Sequence, residues 1–455
     1  MDTTVHLPTP HTYPFHVAAK PFLIDARTHT FFEQLGHHLL LFYQAANRLY
    51  VDSAGSIQPP WIAEYLDLGK PESVIEYGRM NRFRKALPGV IRPDLILTEE
   101  GMIATELDSV PGGIGLTLEM SQSFTDASLI GGIHGMRDGF ARMIRSLTMK
   151  DNPSLAIVVS EESGDYRSEM DYLGIALNKV GLTTFVLNPS EVLFAEDGLM
   201  VNRDGTQIRI DILYRFFELF DLKNIPKAEL ILYAAKKRQA ILTPPPKPQL
   251  EEKLFFALFH HPMLKSFWRN RLGEETLSVL SKLFPKTWIL DPRPLPPHAV
   301  IPDLLIGDQP VSSFLDLKNL SQKERRFVIK PSGFSEMAWG SRGVLVGHDL
   351  SEEAFEKGIK MALNSFHTTP HILQDFHKGR QVTAAYLGTE NDAPILMKGR
   401  ARLSPYYFVE RGEPILSGIL STICPLDKKL IHGMSDAVMM PCSISNEGCL
   451  FDNII

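Results

Sequence analysis

The spacing of apolar residues near the start of the sequence predicts two helices followed by a pair of strands. Over residues 28–47 apolar side chains recur every three to four positions, which places them on one helix face. A second helix is predicted over residues 61–70. Residues 91–97 and 101–108 then alternate or run apolar, which predicts two strands joined by a turn. The next segment, 110–116, holds three glycines and a proline and is predicted to be a loop.

A second periodic region begins near residue 153. An apolar strand over 155–160, an amphipathic helix over 166–180 and a strand over 183–187 predict a parallel βαβ unit. A further strand over 208–217 closes this unit and carries Arg215 near its end, where ligands usually bind in such sheets. The proline-rich segment 243–248 is predicted to be a stiff linker without helix.

Composition and charge limit the classes of partner. Of 455 residues, 44% are hydrophobic and 22% are charged, which is typical of a folded chain with a sizeable core. The net charge of −6 disfavours a broad surface for nucleic acid or anionic lipid, so an anionic ligand must be held by a local cluster of basic side chains. We therefore expect neither a nucleic-acid partner nor a membrane partner.

The compartment is predicted from targeting signals and cysteines. The N-terminal residues lack the basic start and apolar run of a secretory signal, and late apolar runs are too short to span a membrane. Cys424, Cys442 and Cys449 match neither a disulfide framework nor a zinc site. A reduced protein in the cytoplasm is the expectation.

The sharpest local signal lies around Lys330. An apolar strand from Phe327 delivers this lysine to its end, Ser332 and Gly333 open a loop, and a second apolar strand follows residue 343. Glycine permits close approach of the backbone to a ligand, and a lysine neutralises phosphate charge, so this layout suits binding of a polyphosphate. A β-hairpin with a long surface loop is the alternative.

Two later strands carry polar side chains at positions suited to a ligand. Gln374 and Asp375 end an apolar strand that could present its backbone to an adenine edge, or could be a half-exposed strand. Arg400 and Arg402 stand at i and i+2, so on a strand both point to one face. That spacing predicts a fork pair for a carboxylate or phosphate.

Glu106 and Asp108 form the candidate metal site. They share one face of their predicted strand and directly precede the glycine segment. Carboxylate oxygens are the hard ligands that Mg²⁺ prefers, and the ion is commonly shared with a bound phosphate. A solvated strand face is the alternative.

Taken in order along the chain, these segments resemble the circularly permuted ATP-grasp ligases, and among them eukaryotic-type glutathione synthetase. The resemblance runs from about residue 81 to residue 425. The family's Arg-x-Asp strand resembles Arg92-Pro-Asp94, and its Glu-x-Asn metal strand resembles Glu106-Leu-Asp108. Its substrate-domain strand ending in arginine resembles Tyr214-Arg215. Glutathionylspermidine synthetase is a more distant resemblance.

The second half of the chain continues the resemblance. The family's lysine before a helical segment resembles Lys253, and its Leu-Lys-Pro loop resembles Ile329-Lys330-Pro331, with Glu336 as the acid. Its Arg-Thr-Lys resembles Arg400-Ala-Arg402. This ordered set implies an α/β (α+β) class: a circularly permuted ATP-grasp fold with an inserted parallel-sheet α/β substrate-binding domain.

The resemblance also implies roles for these residues. ATP would be held by Lys253, Lys330, Ser332, Gly333, Gln374, Asp375 and Arg402, and Mg²⁺ by Glu106, Asp108 and Glu336. An acid substrate would be bound by Arg92, Arg215, Ser109 and Arg400, with Arg92 and Arg400 also catalytic. The enzyme would phosphorylate a carboxylate with ATP and join the acyl phosphate to an amine, with a homodimer as one expected assembly.

The implied domains follow the order of the chain. We predict N-terminal helices and metal-binding strands over 1–152, the substrate-binding domain over 153–224, a helical connector over 225–320 and the nucleotide-binding region with its phosphate loop over 321–455.

The sequence departs from the family at three places. Asp108 stands where the family has asparagine, the triple glycine of the phosphate loop is absent with Phe334 and Trp339 in that loop, and residues 414–420 replace a glycine- and alanine-rich flap. These changes leave other acids, amines or peptides open as substrates. They also leave open a catalytically inactive ATP-grasp relative that binds nucleotide or acts as a scaffold, and an unrelated α/β binding protein.

Overall fold

The computed structural model of the chain describes residues 14–124, 128–338, 340–387, 394–428, 430–431 and 436–445. Helices and several sheets are mixed along the chain, which confirms the predicted α/β class. The α-helices are α1 (Ala26–Ala54), α2 (Trp61–Asp67), α3 (Glu72–Arg79), α4 (Ile114–Gln122), α5 (Gly135–Ser146), α6 (Arg167–Lys179), α7 (Ala228–Lys236), α8 (Leu254–His260), α9 (Lys265–Leu283) and α10 (Glu352–Asn364).

The strands are short in the middle of the chain and long near its end. In the first half they are β1 (His16–Val17), β2 (Phe22–Ile24), β3 (Val90–Leu97), β4 (Met102–Asp108), β5 (Leu155–Val159), β6 (Thr184–Leu187), β7 (Leu193–Ala195), β8 (Gly198–Arg203), β9 (Thr206–Ile210) and β10 (Ile212–Phe216). In the second half they are β11 (Ile241–Thr243), β12 (Thr287–Ile289), β13 (Leu305–Ile306), β14 (Gln309–Pro310), β15 (Phe327–Pro331), β16 (Leu345–Val346), β17 (His371–Asp375), β18 (Gln381–Tyr386), β19 (Ile395–Glu410), β20 (Glu413–Pro425) and β21 (Val438–Ile444).

The chain forms two compact units, each assembled from separated segments. Unit 1 comprises Met1–Leu40, Ala86–Pro246 and Gly379–Ile455, and unit 2 comprises Leu41–Lys85 and Lys247–Lys378. The domain boundaries predicted from the sequence divide the chain into consecutive ranges instead, and they remain a prediction.

Unit 1 is built on a large sheet with the strand order β1-β21-β20-β19-β3-β4; β18 also pairs with β19, and β2 with β21. The long strand β19 is antiparallel to both β20 and β3, and β3 is antiparallel to β4. The predicted hairpin of β3 and β4 is therefore confirmed. Its pairing register places Arg92 opposite Asp108 and Asp94 opposite Glu106.

A second, parallel sheet of unit 1 has the order β11-β10-β5-β6. All five residues of β5 are buried and apolar, as expected for a strand covered on both faces. Helix α5 packs between this sheet and the large one. The ring centroid of its Phe140 lies 5.1 Å from that of Tyr214 in β10 and 5.6 Å from that of Phe408 in β19. Such burial typically stabilises by roughly 1.5–3 kcal/mol per large side chain.

Two local predictions in unit 1 were wrong, and one strand was missed. The strand predicted over 208–217 is two strands in different sheets, β9 and β10. They are separated at Asp211, whose carboxylate binds the backbone N–H of Ser154 at 2.9 Å. The missed strand is β11, which extends the parallel sheet beyond the expected βαβ unit. The predicted linker follows it and contains the boundary between the two units, after Pro246. The glycine segment does not stay a loop, because α4 already begins at Ile114.

Unit 2 contains an antiparallel sheet with the order β12-β17-β15-β16. Ile329 and Leu373 are paired across β15 and β17 and face a core that also holds Phe355 of helix α10. Because side chains alternate along a strand, Lys330 and Gln374 point away from this core. The strands predicted at Phe327 and His371 are confirmed, and both polar residues lie on one face of the sheet.

Candidate functional site

The buried carboxylate of Asp94 is the centre of a charged cluster in unit 1. Arg92 Nε lies 3.1 Å from Asp94 Oδ1, and Arg402 Nη1 lies 3.1 Å from Asp94 Oδ2. Ser404 donates its hydroxyl to the same carboxylate at 2.9 Å. Strands β3 and β19 are neighbours in the large sheet, so residues far apart in sequence meet on this acid. The sequence predicted Asp94 only as part of the Arg92-Pro-Asp94 motif, without a role of its own.

The candidate metal ligands Glu106 and Asp108 lie on β4 beside this cluster. Asp108 accepts from Arg92 Nη2 at 3.1 Å through one oxygen and from the Val110 N–H at 2.8 Å through the other. Burial raises the pKa of Asp108, the charge of Arg92 opposes that shift, and the charge of Glu106 adds to it. The predicted metal ligand Asp108 and the predicted substrate ligand Arg92 therefore form an ion pair.

The donor set suits Mg²⁺ in type. Two carboxylates from one strand face, completed by water and phosphate oxygens, are the usual protein contribution to a magnesium site. The third predicted ligand, Glu336, is an exposed residue of unit 2. Within the ranges that the structure describes, no group of three or more His, Cys, Asp or Glu side chains could hold a metal ion.

Two of the predicted substrate arginines are bound to the backbone of their own unit. Arg215 is 1% exposed and donates to the carbonyls of Phe217, Pro244 and Pro245 at 2.8, 3.0 and 3.2 Å. Arg400 donates to the carbonyl of Leu426 at 2.6 Å and to that of Gly379 at 3.2 Å. This geometry favours a role in holding loops.

Arg400 and Arg402 do not form the predicted fork pair. They share strand β19, but Arg400 binds loop carbonyls whereas Arg402 is paired with Asp94. The i and i+2 spacing gave the correct face of the strand but could not show which partners each guanidinium would find. The predicted substrate residue Ser109 is 3% exposed and lies directly after Asp108.

In unit 2 the structure brings together two of the predicted nucleotide residues. Lys330 Nζ donates to Gln374 Oε1 at 2.8 Å, and Gln374 Nε2 donates to Thr287 Oγ1 at 3.2 Å. Lys330 is only 8% exposed, so its ammonium is held in place by the sheet. Asp375 ends the same strand, and burial raises its pKa to about 6 against the opposing charges of Lys286 and Arg326.

The start of the predicted phosphate loop is attached to a buried ion pair. Ser332 donates its hydroxyl to Glu252, the carboxylate of Glu252 is paired with Lys70, and the N–H of Leu254 donates to Ser332 Oγ at 3.0 Å. A side chain at Gly333 would collide with the Glu252 carboxylate, which explains the glycine there. Sequence reasoning missed both members of the ion pair.

Lys253 lies one residue beyond Glu252 in unit 2. Its Nζ donates to the carbonyl of Ala338 at 3.2 Å, within the segment that carries Glu336. Six of the seven predicted nucleotide residues thus lie in unit 2: Lys253, Lys330, Ser332, Gly333, Gln374 and Asp375.

A separate cavity of about 1230 Å³ lies in unit 2. Its wall includes Tyr65, Trp288, Phe314 and the proline-rich segment 291–302. None of the residues predicted to bind a ligand is among its lining residues. The cavity borders the cluster of unit 2, because its wall also includes Thr287, which accepts a hydrogen bond from Gln374.

The remaining sequence predictions concern the cysteines and membrane-spanning helices. Cys424 and Cys442 are buried and form no disulfide within the described residues, and burial raises the pKa of Cys442 above its usual range. Cys449 and Trp339 lie outside the described residues. No helix of the described ranges has the length and apolar character needed to cross a membrane.

Comparison with known proteins supports the fold. No protein-family model and no curated protein matches the chain. Among solved structures it is similar to a glutathione synthetase-like effector from Globodera pallida, with a TM-score of 0.51 and 10% identity over 95% of this chain and 90% of that one. A putative gamma-glutamylcysteine synthetase from Methylobacillus flagellatus aligns over 86% of this chain and 89% of that one, at 12% identity and a TM-score of 0.43.

The first of these comparisons defines a class of fold. The second similarity is too low to support an argument, whereas the first extends over nearly the whole chain. The protein has a mixed α/β fold like that of the glutathione synthetase-like effector. At 10% identity this similarity concerns the fold alone.

Proposed function

We propose that this protein is an ATP- and Mg²⁺-dependent ligase that joins a carboxylate to an amine through an acyl phosphate. The observation that carries the proposal is the register of β3 and β4. It places Arg92 opposite Asp108 and Asp94 opposite Glu106, on a fold similar to that of a synthetase-like protein. A basic group for an acid substrate and hard oxygen ligands for a metal thus lie on one face of the paired strands β3 and β4.

Each unit has a task in this proposal. In unit 2, Lys330 and Lys253 would neutralise the phosphates of ATP, with Gln374 and Asp375 at its base and sugar. In unit 1, Arg92 would orient the acid. Arg402, which the resemblance assigned to ATP, would join it there, because both arginines pair with Asp94. Glu106 and Asp108 would hold Mg²⁺. The metal would neutralise charge that develops on the transferred phosphoryl group.

The chemistry has two steps. A carboxylate oxygen of the substrate attacks the γ-phosphorus of ATP, and ADP leaves as the new P–O bond forms. The amine then attacks the acyl carbon, phosphate leaves with the broken C–O bond, and the nitrogen loses a proton to solvent. Orientation of two reactants can lower the barrier by ~7–11 kcal/mol, which is the main contribution expected of these side chains.

The experiment is a screen for ADP release. Acids, including amino acids and γ-glutamyl peptides, are combined with amines, including amino acids and polyamines, in the presence of ATP and Mg²⁺. A true pair should raise ADP release only when both partners are present, and Arg402→Ala should lower it at least tenfold. Arg209→Ala, which changes an arginine of strand β9, is the matched control. The proposal fails if every pair leaves ADP release at the level without substrate.

One observation favours a second candidate, an inactive relative that binds ATP. Asp108 stands where the family that the sequence resembles has asparagine. Its carboxylate forms an ion pair with Arg92, so the predicted metal ligand and the predicted substrate ligand bind each other. In this case ATP would bind but the complete screen would yield no ADP. Restoring the amide with Asp108→Asn would then be the variant to screen for a gain of ADP release.

A further inference from the structure

The buried carboxylate of Glu169 faces the first residues of helix α4. Its Oε1 accepts the Gly113 N–H at 2.7 Å, and its Oε2 accepts the Leu116 N–H at 2.9 Å. The first N–H groups of a helix have no partner within the helix, and a negative charge there is favourable. Glu169 lies on α6, so a residue from another part of unit 1 caps this helix.

The glycines before α4 are explained by protein contacts. A side chain at Gly112 would overlap the ring of Tyr166, and one at Gly115 would overlap the backbone of Glu169. Gly113 has a φ of +89°, and a side chain there would meet the hydroxyl of Tyr406. The backbone of this segment is therefore packed directly against α6 and β19.

A single peptide group connects Glu169 to the charged cluster. The carbonyl of Gly112 accepts from Arg92 Nη1 at 3.2 Å and from the hydroxyl of Tyr406 at 2.7 Å. The N–H of the same peptide group is that of Gly113, which Glu169 binds at 2.7 Å. A peptide group is planar, so the direction of its N–H sets the direction of its carbonyl.

We propose that Glu169 is a positioning residue for Arg92. By accepting the Gly113 N–H it fixes the Gly112–Gly113 peptide group, whose carbonyl holds one guanidinium nitrogen of Arg92 toward the cluster. The consequence for an acid substrate rests on the proposed ligase function, whereas the positioning itself does not.

The test uses Glu169→Gln in the full-length protein. Glutamine can accept only one of the two N–H groups with its oxygen, and its amide nitrogen would face the other. At a pH above the raised pKa of Glu169, where its carboxylate is ionised, the Gly113 and Leu116 amides should exchange with solvent at least tenfold faster in the variant. The Arg92 side-chain N–H resonance, assigned with Arg92→Lys, should shift or broaden. Glu191→Gln is the matched control, because Glu191 binds the N–H of Asn188 and makes no hydrogen bond to this segment.

Two further measurements make the outcome decisive. Tyr406→Phe removes the other donor to the Gly112 carbonyl and should leave the Gly113 and Leu116 amides protected. If Glu169→Gln does not fold, wild-type protein decides: these two amides should exchange at least tenfold slower than in an unfolded chain. Unprotected amides, or an Arg92 resonance that Glu169→Gln leaves unchanged, would overturn the proposal. Failure of the ADP screen alone would count only against the ligase function.

Discussion

Arg92 Nη2 lies 3.1 Å from Oδ2 of Asp108, so a predicted substrate ligand and a predicted metal ligand neutralise one another. Arg92 also contacts Asp94, the acid that Arg402 shares. Charges of both signs are therefore balanced locally, in a chain whose net charge of −6 disfavours broad anion binding. Asp94 pairs with two arginines and Asp108 with one, so their contributions to the free energy of unfolding should differ.

Asp94→Asn should cost more stability than Asp108→Asn. Asp94 is 3% exposed and holds two guanidinium groups and a hydroxyl, so its neutralisation removes the carboxylate that pairs with Arg402 and leaves Arg92 with Asp108. Breaking a buried pair in this way typically costs roughly 3–5 kcal/mol. Burial already raises the pKa of Asp108, so its neutral amide should cost about 1 kcal/mol or less. Urea unfolding of both variants measures the difference, and equal losses would contradict this assignment.

The buried pair of Lys70 and Glu252 should show strong coupling. Lys70→Met alone leaves the carboxylate of Glu252 buried with only its hydroxyl donor from Ser332, and should cost roughly 3–5 kcal/mol. The double variant Lys70→Met/Glu252→Leu removes both charges and should be more stable than Lys70→Met. Denaturant unfolding of the complete double-mutant cycle provides the test. Additive losses would mean that the two side chains do not depend on each other.

Glu169 should make the protein less stable as the pH rises. Burial raises the pKa of Glu169 to about 7, while the two backbone N–H groups and the charge of Arg92 oppose that shift. The folded state therefore holds a proton that the unfolded chain has lost above its ordinary pKa. This contribution is complete at low pH and is lost as the pH rises through about 7, a change of roughly 3 kcal/mol.

The measurement for this prediction is the difference in unfolding free energy between wild type and Glu169→Gln across the pH range. Taking the difference removes other titrating groups, such as Asp375, whose raised pKa acts in the same direction, and Lys247, whose lowered pKa acts in the opposite one. A difference that does not change with pH would refute the assigned titration.

Gly115→Ala should destabilise unit 1 far more than Gly164→Ala. An added methyl group at Gly115 would overlap the backbone of Glu169, whereas nothing lies within 4 Å of the position that it would occupy at Gly164. Overpacking of this kind usually costs about 1–3 kcal/mol. Thermal unfolding of the two variants compares them directly. Equal melting temperatures would show that α6 can move away from the glycine segment at little cost.

The sequence was informative where structure is decided locally. The hairpin of β3 and β4 follows from alternating residues and a short turn, and it carries Arg92, Glu106 and Asp108 to one face. The start of α4 was missed because Gly112, Gly113 and Gly115 act as breakers in isolation. Here a carboxylate from α6 accepts hydrogen bonds from N–H groups that have no partner within α4. This stabilisation comes from a distant part of the chain, so the local sequence pattern does not predict it.

Long-range pairings account for the other gaps. Lys70 and Glu252 are separated by 182 positions, and Ser404 and Asp94 by 310, so no spacing rule connects them. Alternation predicted correctly that Arg400 and Arg402 share a strand face. It could not predict that one guanidinium would bind loop carbonyls and the other an aspartate, because those partners are set by tertiary packing.

In the proposed function, unit 2 binds ATP through Lys330, and calorimetric titration of the protein with ATP and Mg²⁺ measures this binding. Wild type should bind, and Lys330→Ala should weaken binding at least tenfold, about 1.4 kcal/mol, because a buried cation for phosphate is lost. Lys323→Ala, which changes an exposed lysine of the same unit, should bind like wild type. Absence of binding by wild type, or equal affinity in wild type and Lys330→Ala, would show that Lys330 does not hold ATP.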